Sequence, residues 1–318
     1  MIKWIKYVIG IAIFCFLLWY LYGHWGELGL LFKLGFFELL VIYFISFIAI
    51  LNKAGVVKII LKPMGVTALF GDMFLVQNAC LLLNYVPMKF GTFFMANYLK
   101  RHYSLKYSRF GTFSFYLTFM LSVIASLTGI IAVIFIYGLA DIRKQILAGV
   151  FLLCFIASIF LLFVPLPIPK GKSSPVIILR DFLLGRSAVS KDMRALFLAV
   201  SLLFINFIIS SIRLGIIYHS MGIRVHPAGF LVLGALGYIM MFINLTPGAL
   251  GIRELVLGAG AVVLGVPPEV GITVAIIDRS ITLIWAFVVG GACVVWLRHK
   301  SPLDFKETKL HFSSKDLI

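Results

Sequence analysis

The chain has 318 residues, of which 62% are hydrophobic and 13% charged, and its mean hydropathy is +1.09. That composition excludes a soluble globular domain and fits a protein that crosses a bilayer several times. The net charge of +16 does not point to nucleic acid, because the basic residues fall in short clusters between apolar runs, as cytoplasmic loops of membrane proteins do.

Lys3 and Lys6 precede an apolar run that ends near Tyr22. No small-x-small cleavage site precedes Gly23, so this run reads as an uncleaved first helix rather than a signal peptide. Six crossings are expected in all, at about 7–22, 35–51, 109–138, 146–164, 196–218 and 271–297. Each can span roughly 30 Å of hydrocarbon, the first two only just.

Two further apolar stretches, 69–98 and 228–264, are interrupted near their middles by one repeated pattern, N-x-x-P-x-x-x-G. It is formed by Asn84, Pro87 and Gly91, and again by Asn244, Pro247 and Gly251, 160 positions later. Proline removes a backbone donor and clashes with the preceding turn, and glycine allows dihedrals closed to other residues. Both motifs therefore predict broken helices, with Asn84 and Asn244 capping the broken ends. Irregular backbone at membrane depth survives only when buried in protein or lining a wet cavity. Paired breaks in matching halves point to a transport site.

Charge decides the topology. Lys53, Lys58 and Lys62 precede the first broken stretch, and Lys100, Arg101, Lys106 and Arg109 follow it. Both flanks read as cytoplasmic, so this stretch is expected to enter and return on that side. The connection 165–195 and the tail after Trp296 are also basic, whereas only Arg224 and Glu269 flank the second broken stretch. The expected fold is an all-α polytopic membrane protein: about six transmembrane helices plus two re-entrant broken-helix hairpins, in an inverted-topology repeat. Residues 1–138 form the first repeat, 139–300 the second and 301–318 a tail, with both termini cytoplasmic. Residues 174–184, apolar but carrying Arg180 and Asp181, read as an interfacial helix between the halves.

Candidate chemistry gathers in the second half. Arg253 and Glu254 follow the second motif, Asp278 and Arg279 lie inside the last crossing, and Arg213 lies mid-run in the fifth. Ionisable residues at such depth are costly unless paired or hydrated. One reading is a polar cavity in which Arg213, Arg253 and Arg279 hold a phosphate or other anionic headgroup. Glu254 and Asp278 would orient the arginines or exchange protons. The other reading is a set of structural ion pairs. Arginine suits phosphate because its planar fork donates two parallel hydrogen bonds. In the first half, Lys89 inside the motif is the matching candidate headgroup contact. Cys15, Cys80, Cys154 and Cys293 each sit in an apolar run, without metal or redox spacing, and read as packing residues.

No phosphate-binding G-x-x-x-x-G-K-[ST] loop, H-E-x-x-H or G-x-S-x-G occurs, so no catalytic residue and no cofactor or metal is expected. Pro247, Gly251, Arg253 and Glu254, followed by Gly265 and Arg279, resemble the lysylphosphatidylglycerol synthase transmembrane region, a flippase-like bacterial membrane domain. Asn84, Pro87 and Gly91 resemble its first half. Thr92 stands where the family often has an acid, and residues 115–118 where it often has an acid–arginine pair. The resemblance implies translocation of an anionic phospholipid or a polyprenyl-phosphate-linked lipid across the inner membrane. Its alternative is a membrane enzyme or accessory subunit in glycolipid or phospholipid synthesis. The expected partners are membrane lipids, with a second copy or a lipid-synthesis enzyme as protein partner.

Overall fold

The computed structural model describes residues 34–85, 90–138, 141–164, 173–240 and 252–300. In chain order the helices are α1 (Phe36–Leu61), α2 (Phe70–Leu83), α3 (Phe90–Tyr103), α4 (Tyr107–Ile131), α5 (Ile142–Phe163), α6 (Ser174–Lys191), α7 (Met193–Ser220), α8 (Pro227–Ile239), α9 (Ile252–Val263), α10 (Pro268–Trp285) and α11 (Gly291–Lys300). Among the described residues there is no strand. A wide π-turn, Ala286–Gly290, joins α10 to α11, and another, Ala132–Tyr137, ends α4. Five spans are long and apolar enough to cross a membrane: Phe36–Met64, Tyr107–Phe135, Ile142–Phe163, Met193–Ser220 and Pro268–His299. The chain is therefore an all-α polytopic membrane protein. The expected crossing at 7–22 lies outside the described residues.

One boundary moves in a way that matters. The second expected crossing was placed at 35–51, but α1 runs on to Leu61 and puts Lys53 and Lys58 on the helix, not in a basic connection. Lysine ends an apolar run without ending a helix, because it is a good helix former and its long stem can carry the charge away.

Both interrupted stretches become pairs of short helices. α2 and α3 have 14 residues each, and α8 and α9 have 13 and 12. At 1.5 Å per residue none exceeds about 21 Å, too short to cross alone. α2 and α3 are antiparallel. At the open end, Tyr103 Oη accepts from the Leu69 amide (3.1 Å) and donates to Asp72 Oδ2 (2.8 Å). At the closed end, Cys80 Sγ donates to the Gly91 carbonyl at 3.1 Å. The backbones meet so closely there that a Cβ at Gly91 would collide with the Cys80 carbonyl and the Asn84 side chain. Glycine is thus required by contact rather than by dihedral. Asn84 follows the last residue of α2, its amide donating to Cys80 O at 2.9 Å and its side chain lying against Gly91 at the start of α3. A helix C-terminus needs donors, and the backbone N–H already supplies one. Pro87, Asn244, Pro247 and Gly251 lie outside the described residues.

The short helices lock onto crossings far away in sequence. Trp285 Nε1 donates to the buried Asn78 Oδ1 at 2.9 Å. A Cβ at Gly290, in the π-turn, would stand 2.7 Å from the Asn78 carbonyl. α2 therefore packs against the end of α10, and α8 packs against α4. α1 and α7 run antiparallel along a long seam. Asn52 Nδ2 donates to Leu202 O (2.7 Å), and farther along Arg213 Nη1 donates to Ser46 Oγ (3.3 Å). The stretch 174–184 forms a helix, α6, a little longer than foreseen. Lys106 Nζ pairs with Asp181 Oδ2 (3.1 Å), and the Thr112 and Tyr116 hydroxyls donate to the Phe182 and Arg186 carbonyls (2.9 and 3.0 Å). α5 lies outermost, with Phe160 and Leu153 exposed. It is tied in by Ser158 Oγ donating to Ser122 Oγ at 2.8 Å and by Phe151 over Gly129.

Gly91→Ala is expected to lower stability by about 1–3 kcal/mol through overpacking. Gly149→Ala, on an open face of α5, should be neutral or slightly stabilising. Thermal unfolding of both variants in detergent checks this; equal midpoints would mean that the α2–α3 contact can relax.

Candidate functional site

The site is organised around a carboxylate with no access to solvent. Asp278, on α10, is fully buried. An isolated carboxylate there would cost many kcal/mol, so it must be paired. Arg213 of α7 brings Nε to 2.5 Å from one carboxylate oxygen, and Arg253, in the first turn of α9, brings Nη2 to 2.5 Å from the other. Both oxygens are engaged. Two cations on one anion leave a residual positive charge. The arginine side chains are 17% and 26% exposed, against 0% for Asp278. The carboxylate is fully enclosed, while part of each arginine side chain remains accessible.

Beside the triad lies a closed pair. Glu254 Oε1 stands 2.6 Å from Arg279 Nη2, and the two side chains are only 9% and 5% exposed. Arg253-Glu254 on α9 thus faces Asp278-Arg279 on α10 as two antiparallel charge pairs. This register requires the helices to touch. A Cβ at Gly271 would meet Ala261 Cβ at 2.6 Å and the Leu257 carbonyl at 2.8 Å, and one at Gly258 would meet Ile272 at 2.8 Å. These glycines let α9 and α10 approach until four charged side chains interlock.

Other elements converge on the same place. Tyr85, buried just past the end of α2, lies in the electrostatic field of Arg279, Arg253, Asp278 and Arg213. The break in the first hairpin therefore reaches the charges of the second half. Tyr238 Oη and Ser210 Oγ meet at 3.0 Å, within reach of the same charges. Lys53, exposed on α1, feels Arg213 and Arg253.

Of the residues named from sequence, Arg213, Arg253, Glu254, Asp278 and Arg279 come together, and Arg213 takes Asp278 rather than Glu254 as partner. Asn84 and Gly91 build the first hairpin. Lys89 lies outside the described residues. Ser46, Tyr85 and Lys53 were not foreseen as parts of the site. For Lys53 a signal existed: it precedes Arg213 by 160 positions, the spacing of the two motifs. Tyr85 and Ser46 carry no such mark, since their place depends on packing between distant helices.

The family model described as Lysylphosphatidylglycerol synthase TM region matches residues 7–290 of this chain. No curated protein and no solved structure matches it.

Glu254→Gln is expected to destabilise the fold by about 3–5 kcal/mol, because Arg279 stays buried without that charge. The double variant Glu254→Gln/Arg279→Met should recover much of the loss. Unfolding midpoints for the four members of the cycle give the coupling; additive losses would mean the pair does not act as a unit.

Proposed function

The chain belongs to the lysylphosphatidylglycerol synthase transmembrane region family, and on that premise we propose that it is a flippase-like transporter. It carries an anionic, phosphate-bearing lipid or lipid-linked intermediate between the leaflets of a bacterial-type inner membrane. The observation that carries this reading is the Arg213–Asp278–Arg253 triad, with one buried carboxylate presenting two partly open guanidinium groups. Guanidinium groups held in fixed geometry bind phosphate oxygens two at a time. The carboxylates orient the arginines and bind no headgroup themselves. α9 begins at Ile252, beside Arg253, so the positive end of its helix dipole adds to the field.

Residues 1–138 and 139–300 act as two inverted repeats, followed by the tail 301–318. Several features support this. α3 and α9 end 160 residues apart, at Tyr103 and Val263, α4 and α10 begin 161 apart, at Tyr107 and Pro268, and α1 runs antiparallel to α7. The headgroup binds where both hairpins meet the central seam, and the two repeats rock about it to open each side in turn. Both termini are cytoplasmic.

Reconstituted vesicles carrying fluorescent phosphatidylglycerol test the reading. Arg253→Ala should slow transport about tenfold or more per folded molecule, and Arg253→Lys should restore only part, because ammonium keeps the charge and loses the fork. Wild-type rates in Arg253→Ala would refute the anion site. A chemically altered lipid would instead favour the enzyme or accessory-subunit reading.

Topology has its own check. In a background without reactive thiols, Lys62→Cys should label with an impermeant reagent only from the cytoplasmic side, and Arg224→Cys only from outside. Labelling of both from one side would overturn the inverted arrangement.

A further inference from the structure

Lys53 stands where the repeat places Arg213, yet its surroundings differ. Ser46 and Lys53 are seven residues apart on α1 and so share one face, about 10 Å apart along the axis. Ser46 accepts from Arg213, so that face looks into the α1–α7 seam. The neighbour of Lys53, Asn52, donates to the Leu202 carbonyl at 2.7 Å, so Lys53 lies alongside that stretch of α7. The same 160-residue spacing relates Ser46 to Asn206 and Lys53 to Arg213. Asn206 is 1% exposed, and its Oδ1 has no hydrogen-bond partner among the described residues.

The two positions part company at the counter-charge. Arg213 is answered by Asp278. The residue 160 positions before Asp278 is Thr118, whose hydroxyl donates to the Ser114 carbonyl at 2.9 Å. α7 packs on α10, whereas α1 barely touches α4. Lys53 is exposed and makes no ion pair among the described residues. Its ammonium is first of all desolvated by its surroundings, and the two charges acting on it, Arg213 and Arg253, are both positive. A cation on a membrane-spanning helix beside like charges lowers stability, and such cost is typical of a residue kept for binding.

Building on the transport reading above, we propose that Lys53 is a headgroup-binding residue: it and the Arg213–Arg253 pair grip one lipid phosphate from opposite sides. The ligand supplies in the first half the negative charge that Asp278 supplies in the second. A lysine fits this place better than an arginine, since its compact ammonium can hold and release a passing phosphate without a fixed fork.

The test follows thermal unfolding of the full purified chain in neutral detergent. It is titrated with phosphatidylglycerol, with diacylglycerol of the same chains, and with inorganic phosphate. Wild type should be stabilised by phosphatidylglycerol and not by diacylglycerol. An equal shift with inorganic phosphate would assign the site to the free anion and overturn the lipid as source. Lys53→Met should weaken the phosphatidylglycerol response about tenfold or more, the loss of one charge-assisted hydrogen bond. Its ligand-free midpoint should stay level or rise, because a repulsion is gone. Lys53→Gln, a second neutral variant should Met not fold, should behave alike, and Lys53→Arg should keep most of the response. An unchanged response in the neutral variants, or a lowered ligand-free midpoint with the response intact, makes Lys53 a snorkelling residue and overturns the proposal. Arg253→Ala separates the two readings. If it abolishes the response while Lys53→Met does not, the anion site stands without Lys53; if wild type responds to neither anion, both fall.

Discussion

Burying the Asp278 carboxylate is the constraint from which the rest of the molecule follows. A fully buried anion must be answered by cations with good geometry, and the two that answer it come from different helices, Arg213 from α7 and Arg253 from α9. Three elements are thereby fixed around one group. The neighbouring Glu254–Arg279 pair fixes the α9–α10 register a second time. Neither pairing would form without Gly258 and Gly271, which allow the helices to meet. Small residues at the contact and charge at its end are two halves of one arrangement, and in a bilayer it replaces the hydrophobic drive that water would supply.

The short helices serve the same centre. No arm of either hairpin can cross the membrane by itself, so each depends on protein around it to satisfy its ends. Asn78 shows how: its side chain accepts from Trp285, and its backbone lies against Gly290. The π-turn at that contact changes the helix surface locally, as such turns often do beside functional positions. α8 against α4 mirrors this contact. Each hairpin is thus clasped by a crossing from the other end of the chain, and Tyr85 is carried to the charged cluster.

Symmetry in the backbone is not matched by symmetry in charge. Arg253, Glu254, Asp278 and Arg279 sit 160 residues after Phe93, Phe94, Thr118 and Phe119. Of the five charged residues in this cluster, only Arg213 has a charged counterpart, Lys53. In the second half two arginines share one buried carboxylate, whereas Lys53 in the first half has no carboxylate partner among the described residues.

Composition and periodicity alone determined that this chain is helical and crosses a membrane, because apolar runs of such length admit no other folded state. The repeated proline–glycine motif located the helix breaks, and isolated charges in apolar runs named five residues that converge. All of these are local properties. Pairing is not local. That Arg213 takes Asp278, that the Asn84 side chain lies against Gly91, and that Tyr85 and Ser46 join the site depend on which helices touch, at what register and with which glycines between them. Lys53 shows the limit most clearly. In sequence it looks like one of three lysines in a basic connection, for charge predicts sidedness well and helix ends poorly. Only the packing of α1 along α7 put it two turns from Ser46, beside Arg213 and Arg253 and without the carboxylate that Arg213 enjoys.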